Sequence, residues 1–87
     1  MNKIRKKCWP ELFEKVRSGK KNADIRLADF DIREGDILIL EEFDPKNSKY
    51  TGRKITKRVK NVNKVQLLDF HKSEEIRRFG HWVIELG

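Results

Sequence analysis

The chain contains one cysteine, Cys8, in 87 residues. A single thiol excludes an intramolecular disulfide and any thiolate-rich zinc site, and it fits a cytoplasmic address. Nowhere do about 18 apolar residues run together, which excludes a membrane-spanning helix. The basic residues Lys3, Arg5, Lys6 and Lys7 lead into Trp9, Pro10 and Glu11 instead of an apolar run, so no signal peptide is expected. His71 and His81 lie ten residues apart with no cysteine or second histidine at ligand spacing, so neither a metal site nor a cofactor is expected. The sequence also lacks a glycine-rich phosphate loop, a nucleophile elbow and a Ser-His-Asp arrangement. No repeat or low-complexity linker divides it. One domain over residues 1–87 is therefore expected, too small for a deep interdomain cleft. A chain of this length buries only about 60 to 65% of the surface its unfolded form exposes.

What the sequence has in excess is positive charge. Lys and Arg total 21 against 14 Asp and Glu, a net charge of +7. Such an excess favours polyanionic partners, nucleic acid first among them, through counterion release. The charge is unevenly placed. Residues 1–26 carry +6, residues 27–45 carry −6, residues 46–72 carry +8, and residues 73–87 carry −1. If the first and third blocks meet around one cleft, they form a basic surface stronger than the net charge implies, with the acidic block supplying salt-bridge partners or facing elsewhere. The plainer alternative is that the lysines and arginines solvate exposed strands.

The hydrophobic pattern predicts a small mixed α+β domain, mainly β. A strand is expected around Lys3 to Lys7. Pro10 to Ser18 reads as a helix, with proline in its first turn, Leu12, Phe13 and Val16 on one face, and Gly19 as its left-handed stop. Asn22 to Leu27 alternates, and its apolar members Ala23, Ile25 and Leu27 predict a strand with those residues buried and Asp24 and Arg26 on the opposite face. Ile37 to Leu40, after the turn from Arg33 to Asp36, reads as a central strand. Asp44 to Gly52 is expected to be a hairpin loop leading into a strand from Arg53 to Val62. Ile55 and Val59 share one parity and Val62 has the other, which predicts a bulge or an exposed strand end. Ser73 to Gly80 has the charge order of a short helix, and His81 to Leu86 reads as a closing strand. With so few strands, closure into a small barrel or a curled sheet protects the edges.

Several spaced residues carry a family resemblance. Trp9-Pro10, Phe13 and Val16, followed by Gly19, Lys21, Asp24 and Arg26, resemble the G-x-K-x-x-[ED]-x-R signature of the ASCH branch of the PUA-like superfamily. Gly35-Asp36 with its apolar run, Asp44-Pro45, Tyr50-Thr51-Gly52-Arg53 and the closing Trp82-Val83-Ile84-Glu85-Leu86 resemble, more particularly, a family of small domains of unknown function within it. The resemblance covers nearly the whole chain. It implies a PUA-like (ASCH) β-barrel with an early helix and a short helix before the closing strand, and a partner that is RNA or a nucleoside or nucleotide. Small ASCH members include amidohydrolases that remove acyl groups from N4-acylated cytidine by means of a Lys, a Thr and a Glu. Lys21 falls on the Lys position, Asp24 replaces the Thr, and, in a chain that is shorter beyond the central hairpin, Glu74 or Glu75 could stand in for the Glu.

The residues themselves suggest a related site. Lys21 and Arg26 suit a phosphate, Asp24 can accept a hydrogen bond from a base amine or ribose hydroxyl, and Trp9 can stack on a base. Otherwise Asp24 and Arg26 form a structural ion pair and Trp9 belongs to the core. Arg53, Lys57, Arg58 and Lys60, with Lys46, Lys49, Lys54 and Lys64 nearby, are candidate phosphate contacts or the solvated face of an edge strand. Tyr50 either stacks on a base or packs on its own loop. The reading that results is an RNA- or nucleotide-binding module with a cleft around Lys21, Asp24 and Arg26 and a basic hairpin. The alternative is a small amidohydrolase on N4-acylated cytidine nucleosides, with Lys21, Asp24 and Glu74 as its catalytic groups. A third reading has the basic surface docking an acidic protein partner.

Overall fold

The computed structural model describes residues 2–65 and 80–87. In chain order the elements are β1 (Lys3–Cys8), α1 (Pro10–Arg17), β2 (Ala23–Leu27), β3 (Ile37–Asp44), β4 (Lys49–Val65) and β5 (His81–Leu86). The five strands form one sheet in the order β1-β3-β4-β5-β2. β1 runs parallel to β3, and the other neighbours are antiparallel, so the sheet is mixed. The expected helix from Ser73 lies outside the described residues, as do His71, Glu74 and Glu75.

Helix α1 forms where its signals predict. Pro10 occupies the first turn, Glu11 lies at the positive end and Lys15 and Arg17 at the negative end of the helix dipole. Gly19, at φ +80°, turns the chain out, and its N–H donates to the Val16 carbonyl at 3.2 Å. Phe13 and Val16 bury their side chains against Leu38 and Leu40 of β3, and Val59, Ile84, Leu86, Ile32 and Cys8 complete the core. Only one face of the β1–β3–β4 region is therefore covered by the helix.

β4 is the longest strand and belongs to both halves of the sheet. Its first part, to Arg58, pairs with β3, and its last part, from Val59, pairs with β5. The parity break between Val59 and Val62 is a bulge: Val59 faces Leu86 while Asn61 faces Glu85, leaving Lys60 as the extra residue. The hairpin is tighter than the expected loop from Asp44 to Gly52, because Asp44 already pairs with Lys49. A second irregularity absorbs the rest. Glu41 pairs with Lys54 but Phe43 with Tyr50, so Thr51, Gly52 and Arg53 bulge opposite Glu42, and Gly52 sits at φ +92°.

Two expectations are corrected here. The sheet is not a closed barrel: β1 and β2 are its edges, and among the described residues no backbone ladder joins them. The gap is bridged by side chains, Arg26 reaching from β2 to the Lys7 carbonyl of β1 at 2.8 Å. A barrel needs consistent tilt and stagger to continue its hydrogen bonds around the circle, and these edges meet without that register. The second correction concerns β2, whose buried face is inverted. Asp24 is 2% exposed while Ile25 is 55% exposed. Period-two alternation marks two faces but does not say which turns inward, and Arg26 makes burial of the Asp24 carboxylate tolerable by pairing with it.

Candidate functional site

Asp24 and Arg26 form a tight ion pair, Arg26 Nε donating to Asp24 Oδ2 at 2.6 Å. Both side chains are largely removed from solvent. The Asp24 carboxylate is thus engaged by its own strand neighbour. Lys21 is exposed on the approach to β2, its backbone N–H donating to the Lys15 carbonyl at 3.0 Å. Arg26 also lines a shallow depression with Lys6, Asp29 and Phe30, where the Lys6 ammonium sits 3.7 Å from the centre of the Phe30 ring.

A cleft of about 550 Å³ opens elsewhere, between the start of α1 and the β3–β4 hairpin. Trp9, Glu11, Glu42, Asp44, Lys46 and Thr51 are among its lining residues. Of the expected constellation, the structure brings only Trp9 to this cleft. Trp9 precedes the helix in extended conformation and is 61% exposed, so it is not a core residue. Glu42, 5% exposed, forms the inner polar group and accepts a hydrogen bond from the Thr51 hydroxyl at 2.7 Å. The β4 bulge makes this contact by swinging Thr51 onto the strand opposite.

Glu42 and Thr51 escaped the sequence reading because their pairing depends on the bulge. The signals available were the Tyr50-Thr51-Gly52-Arg53 cluster and a carboxylate directly following an apolar run.

The same bulge turns Arg53 toward α1, where its guanidinium pairs with Glu14, approaches Glu42 at 3.8 Å and lies 4.8 Å from the Phe13 ring centre. Hydrogen bonds from Arg17 and then Arg53 hold the Glu14 carboxyl down to about 2. Cys8 sits across from Glu42 on β1, and its thiol is pushed up to about 11, chiefly by burial and next by the Asp24 charge, with Arg26 opposing. The thiol is therefore protonated, and poor as a nucleophile, near neutral pH.

The remaining candidates are spread along β4. Tyr50 is 53% exposed and meets Phe43 edge to face at 5.2 Å. Lys57 and Arg58 pair with Leu38 and Ile37, so they project from opposite faces of the sheet. Lys60 is the bulge residue and shares a small depression with Arg58 and Glu34. The two basic blocks do not converge around Lys21. Their strands β1 and β4 instead flank β3, which carries Glu41, Glu42 and Asp44 from the acidic block. Among the described residues no three His, Cys, Asp or Glu side chains group as metal ligands, and no helix is long and apolar enough to cross a membrane.

The family model described as a domain of unknown function, DUF3850, matches residues 5–74. The chain belongs to this family. The DUF3850 match takes in β1 from Arg5 onward and all of α1, β2, β3 and β4, and so every residue named above as lining the cleft. Its fold is similar to the crystal structure of hypothetical protein PH0355, at 20% sequence identity and a TM-score of 0.72, covering 97% of this chain and 96% of that one. No curated protein matches the DUF3850 chain.

Proposed function

We propose that this DUF3850 domain binds RNA or a nucleotide and holds a base in the cleft beside Trp9. The observation that carries the reading is the exposed indole of Trp9 at a cleft whose inner end is the buried Glu42 carboxylate. An indole left in water is a stacking platform for a base, while carboxylates accept hydrogen bonds from exocyclic amines. Glu11, Glu42 and Asp44 repel phosphate from the interior of the cleft, so the base enters and the phosphate stays at the rim, where Lys46 lies. The same carboxylates favour a base with an exocyclic amine, cytosine, adenine or guanine, over uracil. The positive excess of the whole chain supports the reading by steering polyanions toward it.

We further infer a divergent PUA-like (ASCH) affiliation, supported by Gly19, Lys21, Asp24 and Arg26 at the end of α1 and along β2, and a cytoplasmic setting, supported by the lone cysteine.

Fluorescence titration at low salt tests the binding. Trp82→Phe leaves Trp9 as the only indole, since the chain has two tryptophans. Cytidine and adenosine monophosphates and short RNAs should change its emission, uridine monophosphate more weakly, and Trp9→Ala should weaken binding about fivefold or more. Absence of any response or heat of binding with all of these ligands overturns the reading. The same sample, given N4-acetylcytidine, tests the amidohydrolase alternative. Cytidine release that disappears in Lys21→Ala would replace binding by catalysis.

A further inference from the structure

The face of the sheet opposite α1 carries a second organised surface. Residues paired across neighbouring strands project to the same side, so the register fixes what shares this face. Along β1 it holds Lys3, Arg5 and Lys7, along β3 Ile37, Ile39 and Glu41, and along β4 Arg58, Thr56 and Lys54. Two rows of cations therefore run on either side of a mostly apolar centre strand, roughly 10 Å apart from two strand spacings. All five cations are exposed. Glu41 is the one carboxylate among these nine positions, and no salt bridge among the described residues uses any of the five. At one end the face finishes in aromatics, with Phe43 packed against exposed Tyr50 and the Lys7 ammonium 4.2 Å from the Phe43 ring centre. No described element covers it.

We infer that this outer face of β1, β3 and β4 is the track for the sugar-phosphate backbone of a single-stranded RNA. It rests on the preceding reading that the partner is RNA or a nucleotide, and it assigns the polymer to a surface separate from the base-binding cleft. The charge is complementary to a polyanion, and Ile39, only 8% exposed between the two rows, keeps the middle of the face low so that the exposed cations are its prominent groups. Tyr50 supplies a stacking platform at the end of the track. Tandem cations on a pleated strand recur about every 7 Å on one face, which lets them follow a chain of phosphates without reading sequence.

The test compares a short single-stranded RNA with cytidine monophosphate on the full chain. Replacing Lys3, Arg5 and Arg58 by Gln should weaken RNA binding at low salt and reduce the log-log salt slope by about 2, at about 0.7 per lost phosphate contact. Tyr50→Ala should weaken RNA binding about fivefold or more. Mononucleotide binding in the Trp9 cleft should stay as in the wild type, which also reports that the variants are folded. A control with Lys15, Lys20 and Arg33 replaced by Gln removes equal charge from elsewhere and should leave the RNA slope closer to wild type. If the first variant binds RNA with unchanged affinity and slope, or matches the control, the track is refuted while the cleft reading stands. If the wild type binds neither ligand, both readings fall. Polyglutamate competing as well as RNA would overturn the track in favour of an acidic protein partner.

Discussion

Arg26 donates to the main-chain carbonyl of Lys7 at 2.8 Å, joining the two edge strands of the sheet through a side chain. The same guanidinium neutralises Asp24, which is almost fully buried. One residue thus both spans the open seam and stabilises the carboxylate beneath it. This arrangement explains why β2 can turn its polar residues inward and leave Ile25 in solvent.

Removing Arg26 should therefore be costly. Arg26→Met leaves Asp24 as an uncompensated buried charge and frees the Lys7 carbonyl, a loss of about 3 kcal/mol or more in urea unfolding. Replacing both partners, as Asp24→Leu with Arg26→Met, removes the charge altogether and should restore much of that stability. A double variant as unstable as the sum of the single ones would show that the pair is not coupled.

Gly52 holds the bulge that presents Thr51 to Glu42. Its φ of +92° is left-handed, and a built Cβ would meet nothing within 4 Å, so Gly52→Ala tests backbone conformation without a clash. The expected loss is about 1 to 2 kcal/mol. Because the strain falls on the segment that forms the cleft, nucleotide affinity should fall together with the thermal midpoint.

Thr51→Val removes the hydroxyl that Glu42 accepts from while keeping the side-chain shape. Leaving a buried carboxylate short of a donor costs about 1 to 3 kcal/mol. Calorimetry should show a lower melting temperature, whereas Thr51→Ser should stay near wild type. Equal melting of both variants would rule out a stabilising role for this hydrogen bond.

Acid should unfold the protein through carboxyls whose folded values are lowered. Glu14 falls from its ordinary 4.5 to about 2, and Asp36 is lowered chiefly by the N–H of Asn2, with burial opposing and the N–H of Arg33 adding to the lowering. Both bind protons more weakly folded than unfolded, so their contribution is present above the unfolded values and disappears as pH falls through the folded ones. The thermal midpoint should drop below pH about 4.5, and Glu14→Gln should make that drop shallower.

Cys8 has the opposite sign. Its thiol rises from 9.0 to about 11, so the stabilisation is complete below pH 9 and lost as pH climbs through about 11. At pH 8 iodoacetamide should label the native protein far more slowly than the urea-unfolded one. Equal rates would show that the thiol is neither buried nor raised.

Local signals in the sequence were enough for the elements that rest on them. Pro10, the Leu12, Phe13 and Val16 stripe and Gly19 define α1 within a turn, and the parity change from Val59 to Val62 announces the bulge at Lys60. β2 shows the limit of such signals. Its alternation is plain, yet hydrophobicity selected the wrong face, because the partner that rescues Asp24 also depends on Lys7, 19 residues away from Arg26. The cleft was missed for a similar reason. Glu42 and Thr51 meet only through a two-strand register shift, and the exposed place of Trp9 at the cleft depends on where that hairpin lies.

By itself, the sequence determined a small, mainly β fold with an early helix, a lone thiol and two basic blocks separated by an acidic one, since propensity, capping and charge order are properties of neighbouring residues. The tertiary structure alone decided that the sheet stays open, that Asp24 lies inside and Ile25 outside, and that the basic blocks flank the acidic strand instead of meeting at Lys21. Those outcomes depend on strand order and register, which bring together residues that no local pattern connects.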